Sequence, residues 1–199
     1  MKMKNKTIDD LTPTGKKVVF WCFLVAALIV SGIIGCILPV KSENKAKIAP
    51  QLLDELAAKY SAMFNVPPQL IKAIVWQESR GKIYARGKAG EVGLMQIRPE
   101  TAVVEWLRGN KITSAISDKQ LFDPETNIEI GTWYLAWTGK HWKNYKSCTI
   151  LQIAEYNAGY KNASKWKPKN PDTEMKLSDI TIKSTRKYVE AVLKKMEEY

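Results

Sequence analysis

Glu78 is the residue whose type and spacing point most directly to chemistry. It follows Ile74 by four positions and Ile71 by seven, with Val75 beside them. Helical spacing therefore sets its carboxyl on the apolar face of its own helix, near that helix's end. An apolar setting disfavours the charged form and raises a carboxyl pKa. A carboxyl held protonated near neutral pH is a general acid. Taken alone, a glutamate is more often a solvated helix-surface residue. A second carboxylate that could share such work, Glu91, lies nearest to it in sequence. A plain turn or helix-start carboxylate is the competing reading for Glu91.

Other chemistries find less support. The three cysteines form no disulfide framework, because Cys22 and Cys36 lie in one apolar run and Cys148 is alone beyond it. His141 is the single histidine, in a Trp- and Lys-rich segment. One histidine and one cysteine make no zinc site of the usual type. The sequence thus calls for no metal and no cofactor. Lys and Arg number 31 against 20 Asp and Glu, which suits an anionic partner: nucleic acid, an anionic membrane or an acidic polymer. No groove-reading motif supports the nucleic-acid option.

The elements that must position these residues read as helices. Pro50 suits a first helical turn, and Leu52, Leu53, Leu56, Ala57, Tyr60 and Met63 follow at helical spacing. Asn65-Val66-Pro67-Pro68 ends that helix and starts the one carrying Glu78. A Gly-rich turn region, Gly81 to Gly93, precedes Leu94 to Pro99, which is expected to fold back towards Glu78. Helices are expected over Thr101 to Leu107, from Asp123-Pro124 towards Trp137, over Ser147 to Tyr156 and over Ser184 to Glu198. Gly109 to Asp118 and Gly159 to Ser178 read as loops, the latter long, polar and proline-bearing. No stretch shows convincing period-two alternation, so the class is mostly α.

Residues 18–40 carry no charge and are long enough to span a bilayer, which takes about 20 apolar residues. Lys2, Lys4, Lys6, Lys16 and Lys17 precede them and predict a cytoplasmic tail over 1–17. Residues 41–49 then read as a lysine-rich linker, and 50–199 as the exported domain. Lipidation at Cys36 is the alternative, but Ile37, Leu38 and Val40 continue the apolar run past it.

Four ordered blocks resemble a known family. Glu78-Ser79, then Gly90-Glu91-Val92-Gly93-Leu94-Met95-Gln96-Ile97 with Pro99 and Thr101, resembles the signature of lytic transglycosylases with an SLT-type catalytic domain. Phe122-Asp123-Pro124, Asn127-Ile128, Gly131 and Tyr134-Leu135 resemble its middle motif. Ala154-Glu155-Tyr156-Asn157-Ala158-Gly159 resembles its A-x-YNAG motif, and Thr185, Tyr188-Val189 and Val192-Leu193 its closing helix. The resemblance runs from near Pro50 to the end.

That resemblance implies a lysozyme-like helical domain. It implies peptidoglycan as partner and cleavage of the β-1,4 bond between N-acetylmuramic acid and N-acetylglucosamine. Glu78 would act as acid and then as base, leaving 1,6-anhydro ends without metal, cofactor or added water. It implies that Met95, Gln96, Tyr156 and Asn157 bind substrate and that Tyr188 approaches Glu78. Core packing is the alternative for Met95, Tyr156 and Tyr188. Gly87 falls where the family often has a serine, so that hydroxyl is missing here. A lysozyme-like hydrolase using Glu91 or Asp118, and an inactive peptidoglycan-binding module, remain open. The implied location is the cytoplasmic membrane, single-pass, with the domain periplasmic or extracellular.

Overall fold

The structure is a computed structural model and describes residues 46–199. The expected tail and spanning segment, and nearly all of the linker, lie outside the described residues. Among those described, no helix is long and apolar enough to cross a membrane.

The described chain is helical, and isolated bridges are its only β pairing. Helix α1 spans Pro50–Phe64, opens on its proline and ends where Asn65 turns left-handed. It buries Leu56, Ala57 and Tyr60, whereas Leu52 and Met63, at its two ends, are exposed. Helix α2 spans Pro68–Ser79 and buries Leu70, Ile71, Ala73, Ile74 and Val75. Each leucine, isoleucine and valine side chain among them contributes about 1.5–3 kcal/mol on leaving water. That makes α2 the central rod, and it packs against α1 and against α8, Lys183–Glu197.

A π-helical turn, Pro99–Val103, leads into α3, Val104–Asn110. The short α4, Asp118–Leu121, starts from a reciprocal Ser117–Gln120 cap. Helix α5, Pro124–Trp142, starts on the Asp123 cap and continues past Trp137, further than the sequence pattern suggests. It packs on α1 and on α6, Cys148–Ala158, which in turn meets α8. Helix α8 thus joins the α2 and α6 sides of the core.

The expected loop Gly159 to Ser178 is corrected by the structure. Its first part is α7, Tyr160–Trp166, which buries Ala163 and Trp166 against α6. The rest is tied down rather than free. Met175 is buried and its amide donates to Ser147 Oγ at 2.7 Å, and the Trp166 indole donates to Thr181 Oγ1 at 2.9 Å. Lysine is the commonest residue in this stretch, but the buried anchors Ala163, Trp166 and Met175 decide its path.

Candidate active site

Helix α2 delivers Glu78 at its last turn. The helix stops there because Arg80 adopts a left-handed conformation, its guanidinium 3.2 Å above the Trp76 ring. Ser79 is spent on the same stop: its hydroxyl donates to the Val75 carbonyl and accepts from the Gly81 amide. It is a helix terminator here, buried at the end of α2.

The Gly-rich region then doubles back. Val92 bridges both Arg86 and Ile97, and its amide donates to the Ile97 carbonyl at 2.9 Å. Asn127, fully buried on α5, clamps the turn. Its amide nitrogen donates to the carbonyls of Val92 (3.0 Å) and Leu121 (2.7 Å), and its oxygen accepts the Met95 amide at 2.8 Å. Gly93 has φ +79°, and a Cβ there would stand 2.2 Å from that Asn127 nitrogen. Only glycine satisfies both demands.

Glu78, Glu91, Gln96, Tyr134, Tyr156 and Asn157 all line one cleft, with a cavity of about 270 Å³. Glu78 is partly exposed to it. Tyr188 of α8 donates its phenol proton to Glu78 Oε1 at 2.5 Å. Burial pushes the Glu78 pKa from 4.5 up to about 7. The Tyr188 hydrogen bond pulls it down, and the Glu91 carboxylate pushes it up, both more weakly. The acid is therefore substantially protonated at neutral pH.

The residues expected to bind substrate fall in different places. Gln96, Tyr156 and Asn157 face the cleft. Gln96 sits at φ +48°, and its amide nitrogen is already given to the carbonyls of Ala85 and Gly93. Met95 is fully buried and its side chain lies against Gly131, where an added Cβ would come within 2.4 Å of its sulfur. What Met95 offers towards the site is its carbonyl, which accepts from the Tyr156 phenol at 2.8 Å. Tyr188 is also largely buried and reaches the site only through its hydroxyl. Burial raises the pKa of both tyrosines, with the Glu78 charge adding to it, so both are protonated donors.

Glu91 sits both in the turn and beside the cleft. Its Oε2 accepts the Ala89 amide at 3.0 Å as a turn carboxylate, and the residue also lines the cleft. It lies over Gly87: a Cβ there would stand 2.0 Å from Glu91 Oε2. Asp118 is drawn elsewhere, into an ion pair with Arg86 at 2.9 Å. Asn127 and Glu155 belong to the family-like blocks, but the sequence assigns neither a structural partner. An uncharged or charged polar residue inside an otherwise apolar helical stripe was the available signal.

A family model described as the transglycosylase SLT domain matches residues 55–178. Among curated relatives, the membrane-bound lytic murein transglycosylase E of Buchnera aphidicola is 36% identical over 101 residues, 51% of this chain and 46% of that one. The soluble lytic murein transglycosylase of Escherichia coli is 33% identical over 147 residues, 72% of this chain and 22% of that one. An inactive mutant of the lytic transglycosylase Slt from Pseudomonas aeruginosa superposes with TM-score 0.64 at 28% identity, over 74% of this chain and 24% of that one. The 70 kDa soluble lytic transglycosylase of E. coli gives TM-score 0.63 at 33% identity, over 71% and 23%. The chain spans about half the length of the first of these relatives and about a quarter of the others.

Proposed function

The chain belongs to the transglycosylase SLT domain family, with its mostly helical fold, and we propose that it is a membrane-anchored lytic transglycosylase of peptidoglycan. The observation that carries the reading is the single carboxyl at the end of α2, raised to about 7 and held by a tyrosine in an open cleft. The bond cleaved is the β-1,4 link from N-acetylmuramic acid to N-acetylglucosamine.

Glu78 gives its proton to the glycosidic oxygen as the C1–O bond breaks. The 2-acetamido group of the substrate stabilises the cationic C1, an arrangement that needs no second carboxylate. Glu78, now a carboxylate, accepts the proton of the same sugar's C6 hydroxyl as that oxygen bonds to C1. The product ends in a 1,6-anhydro ring, no water is consumed, and the acid is restored. The attacking hydroxyl is already tethered, which favours it over water. Tyr188 stabilises the carboxylate stage and orients the side chain. Asn157 and Gln96 face the sugars, Tyr156 forms the wall behind them, and Met95 contributes by holding Tyr156.

The lysine-flanked, charge-free run over 18–40 supports a single-pass anchor in the cytoplasmic membrane, with 1–17 cytoplasmic, 41–49 a linker and 50–199 outside. Two groups of relatives, named membrane-bound lytic murein transglycosylases E and C, agree with envelope attachment. One observation favours a second reading: Glu91 lines the same cleft as Glu78, so a hydrolase that positions water with Glu91 has the groups it needs. The test of the assignment is Glu78→Gln in the full-length protein. Loss of murein cleavage by a folded variant is expected; a folded variant that keeps most activity removes Glu78 from the mechanism.

A further inference from the structure

Glu155 has no part in the chemistry above, yet it is 1% exposed, next to Tyr156 in the cleft wall. A carboxylate is buried only with partners. Its partners are two rings: the Trp142 indole donates to Oε2 at 2.7 Å, and His141 Nδ1 lies 2.9 and 3.1 Å from its two oxygens. Those rings carry others. Tyr160 stacks on Trp142, centroids 5.5 Å apart, and meets His141 edge-on at 5.1 Å. Trp137 meets His141 edge-on at 4.6 Å and stacks on Tyr134 at 5.5 Å. Tyr134 lines the cleft. An aromatic row thus runs from inside the cleft through Trp137 and His141 to Tyr160, which is 54% exposed.

Tyr160 is more than a core residue that failed to find cover. It directly follows Gly159, which lines the cleft, so the row and the cleft share a rim. The cavity, at about 270 Å³, is smaller than pockets that enclose a whole small ligand, which run to about 300–1,000 Å³. A polymeric substrate must therefore continue beyond it. The charge within the row is Glu155, already engaged by His141 and Trp142. The rings of the row offer aromatic surface with polar edges, matched to the C–H face and hydroxyl rim of a pyranose, whereas the exposed lysines beside them in sequence, Lys140 and Lys161, are the groups a stem-peptide carboxylate would use instead.

We propose that Trp137, His141 and Tyr160, held by Glu155, form a stacking subsite for a sugar ring of the glycan strand outside the catalytic cleft. This rests on the glycan-cleaving reading given above. Glu155 is a positioning residue in it, since it touches rings and not sugar.

The test uses the full-length protein in mild detergent, carrying Glu78→Gln to prevent turnover, titrated calorimetrically with short and long N-acetylglucosamine oligomers. Affinity should rise with oligomer length. Tyr160→Ala, an exposed change that spares the core, and Trp137→Ala should each weaken long-oligomer binding about five- to tenfold and leave the shortest oligomers nearly unchanged. Tyr160→Phe should retain the length-dependent gain. Equal weakening at every length, or none at any, overturns the subsite alone. So does a loss seen only with fragments bearing stem peptides, which would make the occupant a peptide. If no oligomer binds at all, the subsite and the glycan reading fall together. If Glu78→Gln still cleaves murein while Tyr160→Ala weakens long oligomers, the catalytic assignment fails and the subsite stands.

Discussion

Tyr188 and Glu78, 110 residues apart in sequence, meet through a 2.5 Å hydrogen bond from phenol to carboxyl. The contact exists because α8 packs along α2, and both helices are fixed by buried aliphatic side chains. Donation from Tyr188 favours the charged form of Glu78, while burial favours the neutral one and dominates. The carboxyl is left able to give a proton near pH 7 and to take one back.

Tyr188→Phe removes the donor and leaves the ring. The Glu78 pKa should then rise further, because only the burial and the Glu91 repulsion remain. Activity needs Glu78 protonated, so it is lost as pH climbs through about 7 in the parent, and that alkaline limb should move to higher pH in the variant. The maximal rate should fall about ten- to a hundredfold, since a hydrogen bond to a charged group is worth about 1.5–3 kcal/mol. A pH–rate profile of the two proteins on purified murein checks both; an unmoved limb would show that the phenol does not face the titrating group.

The raised pKa also costs stability. Below pH 4.5 Glu78 is protonated in the folded and unfolded chain alike, and parent and Glu78→Gln should be equally stable on this account. Between 4.5 and about 7 the unfolded chain releases the proton first, so the parent loses stability with rising pH. Above 7 the Gln variant should be the more stable by about 1–2 kcal/mol, a figure reduced from the full shift because the carboxyl faces the open cleft. Thermal unfolding at pH 4, 6 and 8 should show the gap opening with pH, on the order of a few degrees. A gap that is constant across these conditions would contradict the shift.

Gly87 and Glu91 should act as a pair. A Cβ on Gly87 meets Glu91 Oε2 at 2.0 Å and Gln96 Oε1 at 2.9 Å. The Glu91 carboxylate ends a flexible side chain, so in Gly87→Ala it swings away. That removes the charge that helps raise the Glu78 pKa, as Glu91→Ala does outright. In each variant the alkaline limb of activity should move to lower pH, and the double variant should shift no further than one single change. Shifts that add fully would separate the two residues.

Much of this was legible in the chain, for local reasons. The 3.6-residue spacing of Ile71, Ile74 and Val75 sets α2 and the facing of Glu78, and the pattern survives because nothing in the tertiary structure opposes it. Pro50, Pro68 and Pro124 mark helix starts by their fixed φ. What the pattern missed depends on partners distant in sequence. Asn127 reads as one polar residue in a motif, and only the fold shows it holding Val92, Leu121 and Met95. Helix α7 hides in a lysine- and proline-bearing stretch because its burial rests on Ala163 and Trp166 alone. Met95 reaches the site only through its backbone carbonyl, and spacing says nothing of which part of a residue is used.

The product of the reaction tests the central claim most directly. Purified murein is digested with the full-length protein, no metal added, and the fragments are weighed from the earliest time points. Transfer to the C6 hydroxyl yields anhydromuramyl ends, lighter by one water than the reducing ends left by hydrolysis. The account predicts anhydro ends from the start and none with Glu78→Gln. Reducing muramic ends that dominate throughout would contradict it and make Glu91, in the same cleft, the group that positions water.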